Sequence, residues 1–416
     1  MPNISSWFLG QALRAGGTMP MRRAVLVASD GEAYDMSHRV LQWPTIRQRA
    51  NRFQAAKLTL KIAATDDPAE DLSYLRMRFD SDSMMVAFQE GTKLTLDMGY
   101  VHPDSGPELI NMFTGRIEAL KWRKGTIGIT CRGADMPLED MQLGNEVVPL
   151  EVGSILNSGT WMSASSIAWR ACVEAGLDTT TDGTNEDINW DKFNTWAGTF
   201  SDYTTYFQKY SCCAAFTGQK TGAILAEIAR QTHSIIGIDS VGKLVVSRRN
   251  AANTAGNPVF GLNHILDVEY LVDRHNTVSH ITMHTQYQPD SGYWGGAPID
   301  NYNAAIGAIY GYRHETWKSP RFWFHVDCAM QFQGYQLLGY SSSSIPAEQK
   351  RYFGQALLTL PFLGSYLEIT DSLRIVDSWA NVDSATEWYI TERATSMEKG
   401  TVKFRIQERQ IVCDPW

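Results

Sequence analysis

The sequence predicts a mainly β chain, with two antiparallel β-barrel domains and a small α+β module between them. Three observations lead there: alternating segments fill the first and last thirds, aromatics reach 11% with 13 Trp and 17 Tyr, and the strand patterns of the two ends superpose. Aromatic and β-branched residues fit a pleated, half-buried surface, so this composition favours sheet over helix. With 416 residues, 44% apolar and 20% charged, the chain can bury a large core and is not a disordered one. Its net charge of −8 argues against a protein that grips nucleic acid by the phosphates.

Segments 57–62 and 93–98 carry apolar residues at every second position (Leu58, Leu60, Ile62; Leu94, Leu96, Met98), the pattern of a half-buried strand. Segments 113–119 and 126–131 repeat it around Arg123, Lys124 and Gly125, which reads as a hairpin in a meander. Over 163–176, serines precede Ile167, Ala171 and Ala175 and Gly176 ends the run, predicting a helix. A second helix is predicted at 221–232, where Ile224, Leu225, Ile228 and Thr232 share a face. A hairpin follows at 235–247 about a turn containing Gly242. Strands return at 279–284, 366–370, 373–376, 387–391 and 402–406, interrupted by a Gly-, Ser-, Tyr- and Asn-rich insertion at 288–350. The expected organisation is an N-terminal arm at 1–20, a first barrel at 21–135, the α+β module at 136–250 and a second barrel at 251–416.

Laying Phe113–Ile117 over Trp388–Glu392, at an offset of 275, brings Gly125–Ile129 onto Gly400–Phe404 without a gap. Lys93–Leu96 falls on Ser372–Ile375 at an offset of 279. Two ordinary hairpins resemble one another to some extent; a duplicated barrel accounts for the register as well.

No signal peptide is expected, because no basic region precedes an apolar run at the N-terminus, and no stretch nears the ~20 apolar residues of a spanning helix. Six cysteines, with Cys212 and Cys213 adjacent, do not form a disulfide framework and point to buried thiols made in a reducing cytosol. Trp7 and Phe8 stand out as aromatics in a polar arm, suited to anchoring that arm on a neighbour.

The sequence holds no Gly-x-Ser-x-Gly elbow, His-Glu-x-x-His pair, phosphate-binding loop or Cys-x-x-Cys. His280 and His284, near His275, point the same way on a strand and read as its solvated face, with Ile281 and Met283 on the other. Cys172, Cys212 and Cys213, with Cys131 or Cys328, could supply four thiolates, but the spacing is not that of an iron–sulfur loop. Asp182, Glu186, Asp187 and Asp191 lack the order of a calcium loop, and Asp66, Asp67, Glu70 and Asp71 read as a turn rather than as a glycosidase pair. No catalytic, cofactor-binding or metal-ligating residue is assigned, and the chain is expected not to be an enzyme.

The order of these segments resembles the baseplate or tail-tip hub proteins of tailed bacteriophages. The likeness runs through Leu58–Leu60, Gly91–Leu96, Phe113–Ile117, Ile127–Asp135, Ile224–Ala229, Asp239–Leu244, Asn276–Thr282 and Glu387–Glu392, covering about 35–290 and 355–412. It implies a structural virion protein, assembled in the host cytoplasm, whose two barrels are related to the tail-tube fold. In such hubs a homotrimer presents six tube-like barrels to the hexameric tail tube or distal tail protein and a threefold platform to the tail tip or central fibre. The resemblance also implies contact with the tape-measure protein and a DNA-ejection channel through which DNA passes without specific binding. Some siphophage hubs of this family carry an iron–sulfur cluster, but four cysteines here do not match that pattern, and no cofactor is expected. Two other readings remain: a hexameric distal tail or tube-like protein, which needs one barrel per chain, and a carbohydrate- or peptidoglycan-cleaving virion enzyme, which needs two carboxylates about 5–10 Å apart in a cleft.

Overall fold

The computed structural model describes residues 7–8, 20–27, 31, 33–50, 52–61, 92–123, 126–133, 137–138, 164–179, 187–198, 220–231, 234–248, 258–271, 279–283, 286–288, 293–295, 299–302, 304, 307–308, 311–317, 355–369, 371–382, 384 and 387–408. In the first unit these form β1 (Met21–Val27), β2 (Ala33–Asp35), β3 (Val40–Gln42), β4 (Thr45–Arg49), β5 (Arg52–Lys61), β6 (Lys93–His102), β7 (Gly106–Arg123) and β8 (Thr126–Arg132). The middle module holds α1 (Ala164–Glu174), α2 (Trp190–Gly198), α3 (Thr221–Gln231) and the hairpin β9 (Ser234–Ile238) and β10 (Leu244–Arg248). The last part begins with β11 (Val259–Gly261), β12 (Asp267–Leu271), β13 (His280–Met283), β14 (Gln286–Gln288), β15 (Tyr293–Gly295), β16 (Ile299–Tyr302) and β17 (His314–Trp317). It ends with β18 (Gln355–Pro361), β19 (Ser372–Val376), β20 (Glu387–Ser396) and β21 (Thr401–Glu408).

Among the described residues one 14-stranded sheet runs through the molecule as two curled half-barrels, in the order β12-β18-β21-β20-β4-β5-β8-β7-β6-β1-β2, with β19 also on β20, β11 on β19 and β3 on β5. The two halves repeat one topology: β4-β5-β8-β7-β6 in the first corresponds to β12-β18-β21-β20-β19 in the second. The registers agree residue by residue. Arg116 of β7 pairs with both Lys93 and Arg132, and Tyr389 of β20 pairs with both Ser372 and Gln407. Thus β6 maps onto β19 at the expected offset of 279, and β8 onto β21 at 275. The leading strands β7 and β20 differ by 273, Arg116 falling on Tyr389. The ungapped 275 superposition of the hairpins is therefore corrected: two residues separate the last pair Arg123↔Thr126, and four separate Ser396↔Thr401. The longer turn takes up the shift. Each leading strand is also bulged at the same place, at Glu118 between Ile117 and Ala119 and at Thr391 between Ile390 and Glu392.

Alternation gives the strands their faces. Leu94, Leu96 and Met98 of β6 and Ile127, Ile129 and Cys131 of β8 are buried, as are Ala356, Leu358 and Leu360 of β18 and Val402, Phe404 and Ile406 of β21. The core they build is continuous across both halves. Trp7 and Phe8 depart from the expected role as an outward anchor. The Phe8 ring is fully buried, 5.4 Å from Tyr100 of β6 and 5.8 Å from Phe362, which follows β18. Trp7 lies 4.4 Å from His102. Burying a phenyl ring where the two halves meet gains more than exposing it to water, so the arm's aromatics serve their own core.

The middle module matches the predicted helices and hairpin closely: α1 and α3 pack together through Ala168, Ala171, Cys172, Ile224, Leu225 and Ile228. Gly176 ends α1 with φ +75°, and the Leu177 N–H reaches back to Cys172 O at 3.1 Å, a glycine-dependent helix stop. The sequence pattern missed α2, whose nine residues show too few apolar positions for a period. Tyr366–Ile369, expected as a strand, is instead the end of a 3-10 turn (Phe362–Tyr366) and the bend after it. The strand expected at 279–284 does not join the second barrel; β13 sits in a separate sheet between β16 and β17. No helix among the described residues is long and apolar enough to cross a membrane.

Replacing Phe8 with Ala leaves a cavity between the half-barrels, and the expected loss is about 3–5 kcal/mol in denaturant unfolding. Trp7→Ala, half-buried, should cost less than Phe8→Ala in the same titration.

Candidate assembly interface

The two half-barrels meet along one strand edge. After its bulge, β20 leaves β19 and runs antiparallel to β4, with Glu392↔Arg49, Arg393↔Gln48, Ala394↔Arg47, Thr395↔Ile46 and Ser396↔Thr45. A bulge bends a strand and re-aims it, which is what lets β20 serve both neighbours. The Ala50 N–H donates to Thr391 O at 2.9 Å, holding the bulged residue. On the solvent side Glu392 accepts from Arg49 Nε at 2.7 Å. Arg22 stands 5.2 Å over the Trp43 ring and 3.5 Å from Glu398, adding β1 to the joint.

On the inner side lies a buried guanidinium. Arg393 is 2% exposed; its Nε donates to Thr395 Oγ1 at 3.1 Å, one Nη to Gln48 Oε1 at 3.2 Å, and the other faces Met112 Sδ at 3.6 Å. Gln48 in turn donates to Ile238 O at 3.1 Å, linking the seam to the middle module. Burial pushes the Arg393 pKa down from its ordinary value, and the nearby Glu368 and Asp371 carboxylates push it back up.

Those carboxylates belong to an acidic pocket under the module. Glu368 accepts from Ser240 N at 2.9 Å, and Asp371 accepts from Glu368 N at 3.0 Å and lies 3.8 Å from Lys192 Nζ. Asp239 accepts from Lys243 N at 2.7 Å and from Asn189 Nδ2 at 3.3 Å. Loss of water raises its carboxyl to about 7, with Glu368 adding to the shift. The turn that carries Asp239 closes at Gly242, with φ +85°, where an added Cβ would come within 2.6 Å of Thr114 O on β7. The hairpin tip is thus seated directly on the first half-barrel.

The repeat gives each half a counterpart of this seam that has no second strand among the described residues. Residues 119–123 of β7 correspond to 392–396 of β20, the stretch that takes β4, yet among the described residues they pair only with β8. Likewise β12 corresponds to β4, with Glu269–Leu271 in place of Thr45–Arg47, and among the described residues it pairs only with β18. Lys121 and Arg123 are exposed on the first edge, and Asp267 and Glu269 on the second.

The residues singled out from the sequence are scattered. Cys131 and Cys172 are buried free thiols in different units, Cys172 raised to about 12 by burial and Cys131 raised further still; Cys212, Cys213 and Cys328 lie outside the described residues. Asp187 accepts from Asp178 N at 2.9 Å and lies 3.7 Å from Arg116, while Asp191 sits in the first turn of α2. Asp182, Glu186, Asp66, Asp67, Glu70, Asp71, His275 and His284 fall outside the described residues. His280 meets Asp300 and His314 instead, neither of which its spacing could indicate.

No family model matches the chain, and no curated protein matches it. Solved structures do. A 43 kDa tail protein of prophage MuSo2 from Shewanella oneidensis aligns over 94% of this chain and 100% of its own, at 16% identity and a TM-score of 0.51. A tail protein from Neisseria meningitidis MC58 aligns over 93% and 96%, at 12% identity and 0.51. Prophage tail protein gp18 from Listeria monocytogenes EGD-e aligns over 94% and 95%, at 8% identity and 0.51. The chain therefore has the fold seen in these phage tail proteins, along nearly its whole length.

Arg393→Ala removes the guanidinium that Gln48 Oε1 and Thr395 Oγ1 accept from, and a loss of about 3–5 kcal/mol is expected in chemical unfolding; Arg393→Met restores packed volume but neither the charge nor the donors, and should recover only part of that loss. Because the folded-state value of Asp239 lies above its unfolded value near 4, its contribution to stability is full below about pH 4 and disappears as pH rises through about 7. Asp239→Asn is independent of that proton. Its stability relative to the parent should rise between about pH 4 and 7 and level off above, as read from melting curves across that range.

Proposed function

We propose that the chain is a non-enzymatic hub of a phage tail, in which three copies close a ring of six half-barrels. The observation that carries this reading is the pair of strand edges with no second neighbour among the described residues, each the counterpart of a strand already used in the chain's own seam. If β12 of one copy meets residues 119–123 of β7 in the next, in the register of β4 on β20, Arg123 stands opposite Glu269 and Lys121 opposite Leu271, one step from Glu269. The charged residues then share one face, as Glu392 and Arg49 do in the seam. Leu120 and Tyr270, counterparts of the buried Arg393 and Ile46, fall on the other face, so the contact between copies would be apolar inside. Such head-to-tail contacts are heterologous and make a closed ring when the rotation closes. Internal and intermolecular seams would alternate, and each of these two strand edges would gain a second neighbour.

Six similar half-barrels in three chains would meet a sixfold tube or distal tail protein on one side and a threefold tip or central fibre on the other. The tape-measure protein and then DNA would pass through the lumen, and the −8 charge suits a wall that does not hold phosphates. The tail-protein fold supports a place in the virion. A hexamer of single-barrel chains is disfavoured because each chain already carries two copies of the unit.

Light scattering on a sizing column should give three times 46.6 kDa, with class averages showing a six-lobed face and an axial opening. A hexamer of chains would favour the distal-tail reading. Replacing Lys121 and Arg123 together with Glu should raise the trimer dissociation constant at least tenfold, and adding Asp267→Lys and Glu269→Lys should restore it. A trimer indifferent to both changes would keep the ring and reject this contact.

A further inference from the structure

The sheet β16-β13-β17 brings together three side chains from three strands. His280 stands opposite His314 on β17, and Thr282, two residues along the same face of β13, stands opposite Asp300 on β16. Alternation therefore puts His280, Thr282, Asp300 and His314 on one side of the sheet. The two imidazoles stack with centroids 4.3 Å apart and planes 28° from parallel. His280 Nε2 is 3.4 Å from Asp300 Oδ1, His314 Nε2 is 2.6 Å from Thr282 Oγ1, and Thr282 Oγ1 also donates to Asp300. One ligand atom from each of His280, Asp300 and His314 lies within 4.8 Å of the others.

We propose that His280, Asp300 and His314 form a binding site for one divalent transition-metal ion of the zinc type. Ligand atoms about 2.0–2.1 Å from a tetrahedral ion lie about 3.4 Å from one another, the separation His280 and Asp300 already have, so only His314 must rotate inward. Two imidazoles and one carboxylate suit zinc, nickel, cobalt or ferrous iron and are poor ligands for calcium or magnesium, which take mainly oxygen. The outer contacts fit as well. Tyr312 OH meets His280 Nδ1, and with the proton on Nδ1 donated to that oxygen, Nε2 keeps its lone pair for the metal. Thr282 donates to Asp300 and fixes the carboxylate, and His314 would exchange its contact with Thr282 Oγ1 for the ion. Asp300 and His314 are exposed, so the ion would keep an open position for water or for a ligand from another molecule.

The ion would fasten two strands of the insertion, β16 and β17, to β13 just before it, β17 lying 31 residues beyond the end of β13. A sheet of three short strands has little apolar surface of its own, and a metal clasp supplies cohesion that packing does not. The site belongs to a sheet separate from the one that holds the seam and both strand edges, and none of its residues takes part in the proposed ring contact.

Titration calorimetry of the chelator-treated full chain with zinc chloride should show one site per chain, with no comparable binding of calcium. His314→Ala and Asp300→Asn, both at exposed positions, should each weaken zinc at least tenfold while leaving the metal-free melting temperature unchanged. The cobalt complex of the parent should show visible absorption that both substitutions reduce. Absence of zinc binding by the parent, or an affinity unchanged by either substitution, would overturn the assignment.

Discussion

The pairing of β4 with β20 around the Arg393 guanidinium is the constraint on which the rest of the chain depends. A buried cation must keep its hydrogen-bond partners, and here Gln48 and Thr395 come from the two strands whose register is at stake. Slipping that register by one residue would turn Arg393 to the solvent side and bring Ala394 inward, while parting Gln48 from Ile238. One side chain thus fixes the alignment of two half-barrels and the seat of the module between them. The acidic pocket of Glu368 and Asp371 supplies the opposing charge from the second half, and Asp239 extends it into the module.

The repeat explains why the chain is built this way. A strand edge that pairs with its own copy inside the chain is already shaped for the equivalent edge of another chain, so in the proposed ring one geometry would serve both joints. The bulges at Glu118 and Thr391 make this possible by turning the last five residues of β7 and β20 away from the strand they first accompany. Within the five repeated strands the copies differ in their connections: two residues against four at the hairpin turn, and a long insertion between β12 and β18 where β4 and β5 are joined directly. Connections tolerate such changes because the ladder on either side is unaffected.

Much of this was legible in the residues. Period-two alternation located β5, β6, β8 and β19 to β21, and the offsets of 279 and 275 hold for β6 and β8, because strands paired on both sides cannot gain or lose a residue without inverting their faces. The third offset was hidden, since a longer turn moves the leading strand without altering its alternation. The place of Phe8 is hidden for a related reason: an aromatic in a polar stretch reads as exposed, and the gap it fills between Tyr100 and Phe362 is set by strands far away in sequence.

By itself the sequence determined the class of fold, its duplication and the absence of familiar local catalytic motifs, since each of these is written in spacing along the chain. Only the tertiary structure decided what lies across strands: that Arg393 is buried against Gln48, 345 residues away, that His280 meets Asp300 and His314, and that β12 and residues 119–123 of β7 each have one strand neighbour among the described residues. Cross-strand neighbours are set by register and by the path of the connections, and alternation within a strand gives its faces but not its partner.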